Sequence, residues 1–244
     1  MDKSQYFGVT ETFDPAFNLS FFDNLYSGNI IITKRLTNNL IDKLIENKDK
    51  IILHCTVTGM GGSAVEPFVP TSEQYYAKCK ELIEKGFPVK QIVLRVDPVI
   101  PTEKGIETAI KVINKFADLG ISRVRWSSLD MYQHVKDRFE KAGIKIPYNT
   151  FNAPSSMIIH AHEALNNACM AHNITLETCG EGLFQGTPCL SQKDVDILGL
   201  TDSIMLEGNV GQRKTCSCPK NKKQLTLGEK PHQCNHGCLY CYWK

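Results

Sequence analysis

Three cysteines close to the end of the chain, Cys234, Cys238 and Cys241, are spaced Cys-x-x-x-Cys-x-x-Cys in the run Cys-Asn-His-Gly-Cys-Leu-Tyr-Cys. Thiolates at this spacing can hold three irons of a [4Fe–4S] cluster and leave the fourth iron open to a ligand, whereas a fourth cysteine closes the cluster. Two more cysteines, Cys216 and Cys218, precede them. Either could supply that fourth ligand, which would make the site an electron-transfer or sensing centre. Four of the five could also hold zinc, but zinc ribbons favour Cys-x-x-Cys pairs, and Cys-x-Cys followed by this triad matches them poorly. The remaining five of the ten cysteines are scattered before Leu190. Crowding of the others near the end points to metal ligation instead of a disulfide framework, which would be spread more evenly.

Such ligands must be carried by a scaffold, and the chain alternates β-rich runs with amphipathic helices. Strands are predicted at Tyr6–Thr10, Asn29–Thr33, Ile51–Thr56, Gln91–Val96, Arg123–Ser127, Ile174–Thr178 and Ser203–Leu206. Helices are predicted at Thr71–Lys85, stopped by Gly86, at Lys104–Leu119, stopped by Gly120, and at Pro154–His172. The alternation implies βαβ units with a parallel sheet, and the expected fold is α/β, a full or partial (β/α) barrel of the TIM type. The expected domains are a barrel over 1–207 and a C-terminal cysteine-rich arm over 208–244. That arm carries basic residues and few apolar ones, and it is read as a tail without a further strand.

Strand parity then places the polar residues. Leu53, Cys55, Leu94, Val96, Val124 and Trp126 fall on one face, expected to meet the helices. The opposite face carries His54, Thr56, Arg95, Asp97, Arg125, Ser127 and Glu177. A purely structural barrel interior is mostly Val, Ile and Leu, so this face is either an internal salt network or a polar cavity opening at the carboxyl ends of the strands. Arg95, Asp97 and Glu177, with Cys179 just beyond the sixth strand, are the candidate catalytic residues. Arg125, Lys34 or Arg35 could bind a planar oxyanion. Gly61-Gly62 and Gly180-Glu181-Gly182 follow strands, where glycine allows close backbone approach to a ligand or simply a tight turn. His236, inside the cysteine motif, is expected at the surface.

The triad spacing, with Tyr240 before the last cysteine, resembles that of the radical S-adenosylmethionine (SAM) proteins. The tail as a whole resembles a bacterial family catalogued as a domain of unknown function, whose members carry this cluster at the C-terminus. Thr12-Phe-Asp-Pro-Ala-Phe17 is similar to the Thr-Asp-Ile-Pro-Ala-Phe region of that family. Glu66-Pro-Phe-Val-Pro70 and Arg95-Val-Asp-Pro-Val-Ile-Pro101 resemble the barrel of spore photoproduct lyase-like radical SAM proteins, in which the cysteine motif comes early in the chain. The resemblance implies a [4Fe–4S] cluster on Cys234, Cys238 and Cys241, with SAM as second cofactor. Gly61, Gly62, Arg125, Ser127, Glu181 and Tyr240 are its expected contacts. It also implies a flavodoxin- or ferredoxin-type electron donor, and a small-molecule or nucleotide substrate, nucleic acid included.

Bulk properties narrow the classes. A net charge of +2 gives no global field for nucleic acid. The chain lacks an apolar run of membrane-spanning length and a signal-like start, so no membrane partner is expected and a cytoplasmic location is.

Overall fold

The computed structural model describes residues 5–208, 215–225 and 234–243. Its strands are β1 (Phe7–Val9), β2 (Gly28–Thr33), β3 (Ile51–Thr56), β4 (Ile92–Val99), β5 (Arg123–Ser128), β6 (Thr175–Thr178) and β7 (Lys222–Gln224). They form one sheet in the order β6-β5-β4-β3-β2-β1-β7, and each neighbouring pair is parallel. From β1 to β6 the order follows the sequence, and β7 then adds at the opposite edge, beside β1. Among the described residues β6 and β7 are its two edges and do not pair, so the sheet is not a closed barrel.

Parallel neighbours require crossovers. From β2 to β6 these are α1 (Asn38–Glu46), α2 (Ser72–Glu84), α3 (Glu103–Ala117), and, between β5 and β6, both α4 (Gln133–Lys141) and α5 (Ser155–Met170), while two short 3-10 turns join β1 to β2. Helix α2 starts where the sequence signals it, with a reciprocal capping box between Thr71 and Gln74. All five pack on one face of the sheet. There Ile31, Leu53, Cys55, Leu94, Val124 and Trp126 share a core with Leu40, Leu82, Val112, Phe139 and Leu165 from the helices. The opposite face has a smaller core. Phe7, Val9, Ile30, Ile52 and Val93 are covered by Leu190, Ile204 and Val195, the last from the short α6 (Gln192–Ile197). Further toward the carboxyl ends this face turns polar, as parity predicts.

The seventh strand is not where the sequence suggests. Residues 203–206 form a turn and an irregular stretch, and Ile204 points into the smaller core. The edge strand instead comes from the tail, where Lys222, Lys223 and Gln224 pair with Phe7, Gly8 and Val9. Backbone pairing holds it, together with Leu225, buried beside Gly8, and an ion pair from Lys222 to Glu11 at 2.7 Å. Three polar residues show no alternation, so periodicity gives no strand signal. The tail therefore shares the sheet. Residues 209–214 and 226–233 of the predicted arm lie outside the described residues. Among the described residues no helix is long and apolar enough to cross a membrane.

Candidate functional site

The terminal cysteines sit on a loop fastened over the carboxyl ends of β2 and β3. The fastening starts with the turn after β3. Gly61 bridges to Glu66, and the Gly62 N–H donates to the Glu66 carbonyl at 3.0 Å. Gly62 has φ +77°, a region that favours glycine, and a Cβ on Gly61 would lie 2.0 Å from the Pro70 carbonyl oxygen. The two glycines thus shape a turn that brings Glu66 back over the sheet. Glu66 is fully buried and accepts from Thr58 Oγ1 at 2.6 Å, from Lys34 Nζ at 3.0 Å, and from the Tyr240 hydroxyl. Lys34 also donates to the Tyr240 oxygen at 2.7 Å. Burial alone would lower the Lys34 ammonium, but Glu66, and after it Cys238 and Asp97, outweigh this and hold it above its usual value.

A second latch lies beside the first. His236 is fully buried, not at the surface, with Nε2 2.8 Å from Asp14 Oδ2 and its ring 4.9 Å from that of Phe17. Asp14 also accepts from Thr33 Oγ1 at 2.6 Å and from the Lys34 N–H at 2.8 Å. Burial would raise its carboxyl, but His236, Thr33 and Lys34 together hold it below the usual range. Backbone bonds from Phe68 N–H to His236 O and from Leu239 N–H to Val65 O complete the seam. On the other side Arg138 of α4 donates to the carbonyls of Cys241 and Trp243 at 2.6 and 2.9 Å. The latches were missed at sequence level because Asp14 and His236, or Lys34 and Tyr240, are some two hundred residues apart.

The loop brings Cys234, Cys238 and Cys241 within electrostatic reach of one another. Cys238 is half-buried, and its thiol is pushed up to about 12 by burial, opposed by Lys34 and reinforced by Glu66 and the other two thiols. Cys234 is exposed at the start of the loop; burial of its sulfur raises the thiol, opposed by the His236 backbone. Among the described residues no three His, Cys, Asp or Glu side chains converge as the ligands of a single ion do.

The polar face lies next to this loop and is arranged in tiers. Thr56, Arg95, Arg125 and Glu177 are in register across β3 to β6, with Asp97 and Ser127 above them. Asp97 pairs with Arg95 and accepts from Ser127 Oγ at 2.5 Å. Glu177 is committed elsewhere. Its Oε1 accepts from Arg123 Nε at 2.6 Å and its Oε2 from Arg125 Nη2 at 2.5 Å, while Arg123 reaches Asp194 at 2.7 Å. The remaining Arg125 donor goes to the Cys189 carbonyl at 3.1 Å. The face is therefore split: an internal salt network around Glu177 and Arg125, and a rim of Arg95, Asp97 and Ser127. Between them lie buried polar atoms without a partner among the described residues: both ring nitrogens of His54, Thr56 Oγ1, Arg95 Nε and Arg123 Nη2. His54 is held neutral by burial and by Arg125 and Arg95.

The other predicted residues fall on the β6 side. Glu181 Oε1 accepts from the Ser128 N–H at 2.7 Å and so ties the loop after β6 to the end of β5. Cys179 hydrogen-bonds through its thiol to Cys189. Cys218 and Cys216 join that pair, Cys218 accepting from the Cys189 N–H at 3.3 Å. Cys189 was missed because a lone cysteine between a loop and a short helix carries no spacing signal.

Residues 23–243 match the model of a family described as Domain of unknown function DUF1848. The chain belongs to this family. No curated protein matches it. Among solved structures, the CitE protein of Mycobacterium tuberculosis, in complex with magnesium, acetoacetate and coenzyme A, is similar at 11% identity with a TM-score of 0.33. The match covers 73% of this chain and 66% of that one.

Proposed function

We propose that this DUF1848 protein is a radical SAM-type enzyme built on a partial (β/α) barrel, acting on a small-molecule or nucleotide substrate. One observation carries the reading. The Cys-x-x-x-Cys-x-x-Cys loop is fastened by Lys34, Glu66 and Tyr240 onto the carboxyl ends of the strands, beside Arg95, Asp97 and Ser127. Active sites of parallel α/β folds lie at that end. Sequential strand order with five crossover helices on one face supports the partial barrel.

The donor set fits a cluster. A cubane places each thiolate on its own iron, so its ligands surround a body and not a point, and three thiols on one tightly held loop suit that demand. Cys234, Cys238 and Cys241 would hold three irons, and the Lys34 ammonium would offset the negative charge gathered around Cys238. When bound, the cluster with SAM would supply one-electron, radical-initiating chemistry. The chain's own residues bind and orient. Lys34 and Glu66, held by Tyr240 and Thr58, fix the charge pattern under the loop. Arg95, whose Nε has no partner among the described residues, and Asp97, with Ser127, present a donor and an acceptor to a polar ligand. The apolar layer of Leu190, Val195 and Ile204 closes the opposite end and limits water. Cys234 is exposed, which suits electron delivery by a flavodoxin- or ferredoxin-type donor. Cys218 meets Cys189, and Cys216 meets Cys218, which argues against a closed four-cysteine cluster.

The test is anaerobic reconstitution with iron and sulfide, then SAM and a strong reductant. Methionine and 5′-deoxyadenosine are expected from the native chain, and neither from C234A/C238A/C241A with an unchanged circular-dichroism spectrum. A reconstituted cluster whose spectrum ignores SAM, with no cleavage, would sink the reading.

A further inference from the structure

We propose that Cys179, Cys189, Cys216 and Cys218 form a second metal site, a four-thiolate seat for one Zn²⁺ ion that joins the chain leaving β6 to the chain entering β7. The inference is independent of the radical SAM reading, because it uses none of the terminal triad.

Three separate segments converge here. Cys179 follows β6 directly, Cys189 lies ten residues on, and Cys216 and Cys218 stand just before β7. Their sulfurs are linked in a row of contacts, Cys179 to Cys189, Cys189 to Cys218 and Cys218 to Cys216. All four are free thiols. Apolar packing does not explain the gathering, for Cys189 and Cys218 are 7% and 1% exposed yet belong to neither hydrophobic core.

The backbone supports ligation by sulfur. The Cys189 N–H donates to Cys218 Sγ at 3.3 Å, and the Cys218 backbone dipole favours the Cys216 thiolate. Main-chain donors aimed at sulfur favour the thiolate over the thiol and orient it as a ligand. Arg125 and Arg95 act on Cys189 with favourable charge, and Arg125 also holds the Cys189 carbonyl at 3.1 Å. Positive charge beside four thiolates offsets the net charge of −2 that they carry around a divalent ion.

The spacing favours zinc over a cubane. Zinc–sulfur bonds of about 2.3 Å in a tetrahedron set the sulfurs about 3.8 Å apart, the range of thiol–thiol contact, whereas cubane ligands stand farther apart. Among the described residues no three of these sulfurs converge on one point as ligands of a bound ion do. Closing the row needs side-chain rotation at its end, where Cys216 is only half-buried. Each thiol that becomes a ligand gives its proton to solvent as the metal–sulfur bond forms. The reward is mechanical: β6 and β7 do not pair, and the ion would staple the two unpaired edges.

The experiment uses the full chain in which the triad is removed, C234A/C238A/C241A, purified anaerobically with zinc supplied. About one zinc per chain is expected, with an X-ray absorption shell of four sulfurs at about 2.3 Å. Adding C216S/C218S should cut bound zinc at least tenfold. Should that variant not fold, the folded C234A/C238A/C241A protein is alkylated before and after zinc is stripped with a chelator, and four further cysteines, identified as these, should become reactive. Zinc absent from the triad-free chain, zinc retained in C216S/C218S, a nitrogen or oxygen shell, or an iron chromophore in its place would each overturn the proposal.

Discussion

Glu177 carries the question of whether a charged residue on an inner sheet face catalyses or merely holds the face together. Both its oxygens are occupied by Arg123 and Arg125, and it is buried. Burial would raise its carboxyl, but Arg125 and then Arg123 outweigh that and hold it below the usual range. Removing one partner from such a network leaves uncompensated buried charge, at a cost of about 3–5 kcal/mol. Glu177→Gln is therefore expected to lose about that much stability at pH 7, read from chemical denaturation. Because the folded carboxyl is depressed, its contribution is complete above the ordinary value near ~4.3 and is lost as pH falls through the lower folded value. The gap between native and variant should narrow as pH falls below the ordinary carboxylate range and close only below the depressed folded value. A variant as stable as the native chain at pH 7 would move Glu177 back among the catalytic candidates. Sequence parity placed Glu177, Arg125, Arg95 and Asp97 on one face, because side chains alternate along a strand. It could not assign the pairs, since the decisive partner Asp194 lies on α6, outside the sheet.

Elements were legible where hydrophobic period and capping agree, as at α2, α3 and β2 to β6, and illegible where backbone geometry decides. Strand β7 is one case, made of polar residues that pair because β1 offers an open edge. The turn after β3 is another. Its glycines were readable as a ligand loop or as a turn, and they form a tight turn, Gly61 against the Pro70 carbonyl and Gly62 at φ +77°. A methyl at Gly61 would meet the Pro70 carbonyl backbone, which cannot rotate away as a side chain could, so the turn must shift. Gly61→Ala is expected to cost about 1–3 kcal/mol, as overpacking does. Since the turn carries Glu66, its shift should loosen Tyr240 and the cysteine loop together. Hydrogen exchange should then quicken at the N–H groups of Phe68 and Leu239, which bond across the seam in the native chain. Unchanged exchange at both would separate the turn from the latch.

At the scale of the whole molecule, charge limits the substrate more firmly than fold does. Lysine and arginine number 28 against 26 aspartate and glutamate, and the cations nearest the candidate site are already engaged: Lys34 with Glu66, Arg95 with Asp97, Arg125 with Glu177. Duplex DNA presents a charge every ~1.7 Å, and a protein that grips it neutralises several phosphates, so its affinity falls about 10³–10⁵-fold between 50 and 200 mM salt for 6–10 contacts. This chain has no such set of spare cations among the partners named. A labelled duplex should bind more weakly than about 10⁻⁵ M at physiological salt, within or below the non-specific range, with a shallow salt slope in fluorescence anisotropy. Submicromolar binding with a steep slope would make polymeric nucleic acid the substrate class and would require a basic surface beyond the residues described. The expected result leaves a ligand small enough to sit between the cysteine loop and the Arg95–Asp97–Ser127 rim, where one donor and one acceptor suffice to orient it.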